Sequence, residues 1–169
     1  MPTLEDLFFL KPGETWVAGT HPANPFLEED GLLEAQILDI RHDGIRSVLG
    51  IILEMRVAEK IHATSTALIV ASDVRAYSWK QTERHGNRTA WTIISSVPQR
   101  NEPEFTLELT TSPSAALAFT AQSASFYSLR IDELEDIPPP DYGDPDFAAI
   151  RSGIAGWESP AEVVAVAHS

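Results

Sequence analysis

The sequence predicts a mainly β protein, an antiparallel β-sandwich or barrel with a short helical, acidic carboxyl-terminal tail. Between residues 32 and 131, short segments rich in β-branched and aromatic residues recur between Gly, Pro, Asn and Asp. These segments are too short for a good match to helical periodicity. After residue 131 the composition changes, with nine acidic residues against one base, Arg151. The strands therefore precede a tail of different character.

One domain, 1–169, is predicted, because a chain of 169 residues fits an ordinary domain with a substantial core. It divides into an irregular amino-terminal segment (1–31), a β core (32–131) and an acidic tail with two short helices (132–169). In the first segment, residues 4–10 could form a short helix or an edge strand. Prolines at 22 and 25 keep residues 19–26 irregular or extended.

The clearest element is a hairpin made by residues 32–41 and 48–56. Between them stands Asp43-Gly44, a pair suited to the positive φ values of a hairpin turn. Both faces of the second strand are apolar, with Leu49, Ile51, Leu53 and Met55 on one and Val48 and Ile52 on the other. We therefore expect a central strand covered on both sides, in which Gly50 marks a bend or a close approach.

Further strands are predicted over residues 66–72, 74–79, 89–97, 104–111, 115–121 and 123–131. The clearest alternation runs through 104–111, where Phe105, Leu107 and Leu109 face inward and Glu and Thr residues face outward. Six to eight short strands of this kind are typical of a sandwich or a barrel.

The tail contains two helix signals beyond the stiff Pro138–Pro140 spacer. Asp144 can cap a helix with Pro145 at its first position and Gly153 just past its end. Residues 159–162, Ser-Pro-Ala-Glu, form a capping box that predicts a last helix through Val166. Apolar side chains would anchor the tail on the β core: Phe147, Ile150, Ile154 and Trp157.

Charge and composition limit the classes of partner. The formal net charge of −13 argues against nucleic acid and against an anionic membrane surface, and it favours a basic partner. The absence of cysteine excludes disulfides, thiolate nucleophiles, iron–sulfur clusters and Cys-based zinc sites. The amino terminus lacks the positive region and apolar stretch of an export signal, so a cytoplasmic location is expected.

Motifs for catalysis are missing from the sequence. The five histidines include no His-x-x-x-His or His-Glu-x-x-His spacing, and a metal site from His21, His42 and Asp39 would have to be assembled from distant residues. There is no Gly-x-Ser-x-Gly elbow, no Ser-x-x-Lys and no phosphate-binding glycine loop. We expect no catalytic residue, no metal and no cofactor, although an enzyme with an unrecognised site stays open.

One basic spot lies between Trp79 and Trp91, and its residues are Lys80, Arg84, His85 and Arg88. Basic residues beside aromatic rings can bind single-stranded nucleic acid. A solvated hairpin loop whose Trp rings face the core fits the acidic chain better. The acidic tail could also fold back on this spot. Tyr77, Trp79 and Trp91 could instead line a ligand cavity, although aromatic residues at strand spacing more often belong to a core.

Residues 48–56 (VLGIILEMR), 70–79 and 90–93 (AWTI) resemble small uncharacterised bacterial all-β proteins, some of them grouped with immunity proteins of toxin systems. The similarity covers about the central half of the chain, by strand pattern and Trp and Arg placement. The resemblance implies a non-enzymatic binder that neutralises a toxin, with an acidic surface facing a basic nuclease. It transfers no binding residue, because it lies in core strands.

The leading prediction is therefore protein binding without catalysis, as in an immunity-like inhibitor of a basic protein. The expected contact residues are Asp132, Glu133, Glu135, Asp136, Asp141 and Asp144. The alternative is a small-molecule-binding β-barrel whose cavity holds Tyr77, Trp79 and Trp91. The sequence leaves the oligomeric state open.

Overall fold

The computed structural model describes residues 1–11, 14, 16, 18–82 and 88–169. Its elements, in chain order, are α1 (Leu4–Phe8), β1 (Gly19–Thr20), β2 (Gln36–Asp43), β3 (Val48–Glu54), β4 (Thr66–Gln81), β5 (Trp91–Asn101), β6 (Glu104–Ser112), β7 (Ala115–Arg130), α2 (Asp132–Glu135), α3 (Phe147–Ser152) and β8 (Glu162–His168). None of the helices in these ranges is long and apolar enough to cross a membrane. The predicted mainly β class is confirmed.

All the strands belong to one sheet, in the order β1-β8-β7-β4-β3-β2-β5-β6, and β6 also pairs with β7. The sheet therefore curls into a partial ring of β2 to β7, rather than splitting into the two sheets of a sandwich. Its shortest junction is β2–β5, where only Gln36↔Thr92 and Ile37↔Trp91 are paired. Pairing is antiparallel throughout except between β1 and β8, which are parallel.

The strands β4 and β7 are 16 residues long each, where the sequence predicts two short strands in each place. Asp73 has a positive φ of 53°, a backbone conformation that is common in turns. Pairing with β7 nevertheless continues past it from Thr66↔Leu129 to Gln81↔Ala115, with a bulge between Val74 and Ala76. A bulge bends a strand without ending its ladder, so the predicted break is a change of direction.

Two apolar clusters lie on opposite faces of β3. The first draws on all six strands of the ring, and its largest members include Phe26, Phe105, Phe119 and Phe126. The second cluster packs α1 and the tail against the other face of the sheet. All seven residues of β3 are buried, so the predicted strand covered on both sides is confirmed.

Gly50 allows the second cluster to approach β3. A Cβ atom at this position would lie 2.7 Å from Phe8 Cδ2 and 2.8 Å from Trp157 Cη2. Both distances are shorter than van der Waals contact, so the close approach that the sequence predicts is confirmed.

Gly50→Ala is expected to lower the free energy of unfolding by about 1–3 kcal/mol, because an added methyl group overpacks a filled core. Urea denaturation measures the change. Gly44→Ala is the control, since a Cβ there would meet only His42 Cε1, at 3.9 Å. Equal unfolding midpoints for the two variants would contradict the prediction.

The β2–β3 turn lies where the sequence places it, but with a different conformation. Four residues, 44–47, connect the strands, and the positive φ belongs to Ser47, at 55°, rather than to Gly44. The carboxylate of Asp43 accepts hydrogen bonds from the amides of Ile45 (3.0 Å) and Arg46 (3.2 Å). The aspartate therefore stabilises the turn through its side chain.

The predicted helix over residues 159–166 is wrong, because this segment forms β8. The strand pairs with the free edge of β7, from Ser125↔His168 to Arg130↔Glu162. Its sequence, EVVAVAH, is rich in β-branched valine, and a complete ladder outweighs one local capping box.

The other helices of the chain agree in part with the prediction. The helix predicted after Asp144 is α3, which ends at Gly153 as expected but is capped by Asp146, whose Oδ1 accepts from the Ala148 amide (3.1 Å). The additional helix α2 is not predicted. Residues 4–8 form α1, with a capping box between Thr3 and Asp6, so the helical alternative for this segment is confirmed.

Candidate functional site

The residues Asp132–Asp146, called the acidic segment below, run from α2 to the cap of α3. They include seven acidic residues and no Lys or Arg. The side chains of Asp132, Glu133, Asp136 and Asp141 are exposed, while Glu135 and Asp144 are half-buried. None of the ion pairs formed between described residues involves this segment.

Arg56, just after β3, holds the acidic segment on the sheet. Its guanidinium forms an ion pair with Glu54 (Nη2–Oε2, 2.7 Å), and the two side chains are only 7% and 1% exposed. The same guanidinium donates to four backbone carbonyls of the tail, those of Leu134 (3.3 Å), Ile137 (3.1 Å), Pro138 (3.3 Å) and Gly153 (2.6 Å). One buried cation therefore fixes the first half of the segment and the end of α3, just beyond the segment.

Glu135 has a structural role within the same segment. Its carboxylate accepts hydrogen bonds from the amide of Ser65 (3.0 and 3.2 Å) and from the amide of Ile131 (2.9 Å). These bonds join α2 to the start of β4. Among the predicted contact residues, Glu135 therefore has the carboxylate that is most engaged in hydrogen bonds within its own chain.

The other predicted contact residues divide into two groups. Asp141 and Asp144 each use one oxygen within a local turn, accepting from the amides of Gly143 (2.9 Å) and Asp146 (2.8 Å). No hydrogen bond between described residues engages the carboxylates of Asp132, Glu133 and Asp136. These three carboxylates are therefore the ones most available to a partner.

The structure brings together two of the three predicted cavity residues. The rings of Trp79 and Trp91 meet edge to face, with centroids 5.2 Å apart. They line a shallow pocket of about 240 Å³ with residues 37–40 of β2. Tyr77 lies elsewhere, with its ring 4.6 Å from that of His42, and lines a different depression.

A second pocket of about 290 Å³ adjoins the first and shares Ile37, Leu38 and Trp91 with it. Its far wall comes from the tail: Tyr142, Phe147, Ile150, Arg151 and Ile154. The Tyr142 hydroxyl donates to Gln36 Oε1 (3.1 Å). Burial, assisted by the charge of Glu54, raises the pKa of Tyr142 to about 12, so this hydroxyl stays neutral.

The basic spot is described only in part, since Glu83, Arg84 and His85 lie outside the described residues. Arg88 is exposed and donates to the backbone carbonyl of Asp144 (3.4 Å). Its guanidinium also lies 4.8 Å from the centroid of the Phe147 ring. The tail therefore contacts the basic spot through the carbonyl of Asp144 and the ring of Phe147.

The residues considered for a metal site have separate environments. Asp39 accepts from Trp157 Nε1 (2.8 Å), His42 packs on Tyr77, and the His21 ring lies 5.7 Å from that of Phe126. Partial burial lowers the pKa of His21. Within the described ranges, no group of three or more His, Cys, Asp or Glu side chains could hold a metal ion.

The chain has no match among models of protein families, and no curated protein or solved structure is significantly similar to it. The function is therefore argued from the surfaces of this chain. Two features stand out: an acidic segment fixed to the sheet, and a pair of adjoining pockets beside it.

Proposed function

We propose that this protein is a non-catalytic binding module that holds a basic partner protein through the acidic segment, in the cytoplasm. The observation that carries the proposal is the attachment of exposed carboxylates to a segment that Arg56 fixes in place. A rigid contact surface loses little conformational entropy on binding, so more of the interaction energy appears as affinity.

The charge distribution supports the same proposal. The stretch from residue 132 onward carries nine acids and one base, a net −8 of the total −13. Arg56, which contacts the tail beside β3, is buried against Glu54 and does not neutralise the outer surface. Such a field accelerates encounter with a positively charged protein and disfavours anionic competitors.

The class of partner follows from the resemblance to immunity proteins. Those proteins suggest a toxin as the target, and a basic nuclease matches the sign of this surface. In the complex, carboxylates of the acidic segment would occupy the positions at which the nuclease binds the phosphates of its nucleic acid.

The test is a charge reversal at the available carboxylates, Asp132→Lys, Glu133→Lys and Asp136→Lys together. The tagged protein is isolated from its own host at low salt, and the recovered partner is identified by native mass spectrometry. We expect the triple variant to associate with that partner about tenfold more slowly or worse, because steering by charge is reversed.

A matched control reverses three exposed glutamates outside the tail, Glu28, Glu29 and Glu104, with the same change in net charge. This variant is expected to keep association within about twofold if the acidic segment is the contact surface. If both variants associated equally slowly, net charge alone would explain the effect, and the assignment of the acidic segment as the contact surface would be contradicted. A bare monomer at low salt would contradict the function itself.

A further inference from the structure

The two adjoining pockets form one elongated cleft along β2, between the two tryptophans and the tail, called the aromatic cleft below. Pocket volumes of about 290 and 240 Å³ meet at Ile37, Leu38 and Trp91. The inside of the ring is filled by the first apolar cluster, with four phenylalanines among its buried members. A small ligand that contacts Trp79 and Trp91 therefore has its room in this cleft rather than in the filled ring.

The walls of the aromatic cleft are mostly apolar. Ile37 and Ile150 are 5% and 3% exposed and form its buried base. The Trp79 and Trp91 rings cover one half, and the half-exposed Phe147 ring stands at the other. A flat apolar body would be enclosed by aromatic surface here, which is the usual character of small-molecule sites.

Two cations stand at the Phe147 end of the cleft. The guanidinium carbons of Arg88 and Arg151 lie 4.8 and 6.0 Å from the centroid of the Phe147 ring. Both side chains are exposed, and neither has an ion-pair partner among the described residues. Unpaired cations beside an apolar pocket are notable in a chain with 25 acids and 12 Lys or Arg.

The acidic residues near these cations are directed elsewhere. Asp144 and Asp146 each place one oxygen on a backbone amide, at 2.8 and 3.1 Å, and Arg88 meets the carbonyl of Asp144 rather than its carboxylate. Both guanidiniums therefore keep donors for an incoming anion. Arginine suits carboxylates especially well, because its planar donors match both oxygens.

We propose that the aromatic cleft binds a small organic acid: a single carboxylate on a flat apolar body. The carboxylate would meet Arg88 and Arg151, and the body would lie against Trp79 and Trp91. A single negative charge suits two cations in an otherwise acidic field, which repels polyanions such as nucleotides. This site includes Tyr142 of the acidic segment, but it does not use the exposed carboxylates of that segment or depend on the partner proposed for them.

Naphthalene-2-carboxylate is the probe, and 2-naphthylmethanol is its neutral counterpart of nearly equal shape. Calorimetric titration at low salt is expected to show the carboxylate binding at least about tenfold more tightly than the alcohol, as charged hydrogen bonds require. Arg151→Gln should weaken the carboxylate about tenfold and leave the alcohol unchanged. Arg130→Gln, at an exposed arginine paired with Glu162, is the matched control and should change neither.

The indole N–H signals of the four tryptophans report where the ligand binds. In nuclear magnetic resonance spectra, saturation with naphthalene-2-carboxylate should shift the signals of Trp79 and Trp91 and leave Trp157 in place. Equal affinity for acid and alcohol, equal effects of the two arginine variants, or unmoved Trp79 and Trp91 signals would each overturn the proposal. So would the absence of saturable binding at millimolar carboxylate.

Discussion

Arg56→Met is expected to lower the free energy of unfolding by about 3–5 kcal/mol, the usual effect of removing one partner from a buried ion pair. The substitution leaves the carboxylate of Glu54, 1% exposed, without its countercharge. It also removes the only side-chain donor that reaches the carbonyls of Leu134 and Gly153 among the described residues. Urea denaturation followed by tryptophan fluorescence measures the loss.

Two comparisons make this prediction specific. Arg75→Met breaks the exposed Arg75–Asp73 pair and should cost no more than about 1 kcal/mol. The double variant Glu54→Leu/Arg56→Met removes both buried charges and should recover part of the loss. If Arg56→Met were no more destabilising than Arg75→Met, Arg56 would not be the residue that holds the tail.

Hydrogen exchange separates the two effects of Arg56. The amides of residues 134–153 should exchange faster in Arg56→Met than those of β3, because the tail loses its attachment before the sheet opens. Uniform acceleration over the whole chain would mean that the residue stabilises only the core. The rigid acidic segment on which the proposed function depends would then need another explanation.

Trp157→Ala is expected to be as costly, at about 3–5 kcal/mol. The ring is 8% exposed and packs against Phe8, with centroids 5.4 Å apart. Its Nε1 donates to Asp39 (2.8 Å), and the Arg41 guanidinium lies 4.5 Å from its centroid. Truncation would leave a cavity over Gly50 and remove the ring by which the tail packs on Phe8.

Phe147→Ala is the matched comparison for Trp157→Ala, since it removes another aromatic ring of the tail. This ring is 49% exposed, so a change within about 1 kcal/mol is expected. Similar losses of thermal stability in the two variants would contradict the assignment of Trp157 as the anchor. The four predicted anchors are therefore unequal, with Ile150 and Trp157 buried and Phe147 half-exposed.

The contact residues show what a sequence can and cannot predict about a site. The exposure of Asp132, Glu133 and Asp136 follows from composition, because unpaired carboxylates avoid the interior. The hydrogen bonding of Glu135 to its own chain could not be predicted from composition, since the Ser65 amide that it binds is 70 residues away. The aromatic cleft was predicted only through Trp79 and Trp91, and its second wall was not, because that wall comes from the tail.

Alternation predicts a strand well where both faces have a clear character. In β6 the buried Phe105, Leu107 and Leu109 alternate with more exposed Glu and Thr side chains, and β3 is apolar on both sides. Burial of apolar side chains is a local requirement of each strand, so these positions can be identified without knowledge of any neighbour. The close approach at Gly50 could be predicted on the same basis.

The sequence by itself determined the mainly β class, the central hairpin and the acidic character of the tail, because these depend on the composition and periodicity of short segments. Only the tertiary structure decided that residues 162–168 form β8, that Trp79 meets Trp91 without Tyr77, and that Arg56 reaches the tail. Each of these depends on an edge, a ring or a carbonyl supplied by a distant part of the chain. Pairing with such a distant group can outweigh a local preference of about 1 kcal/mol.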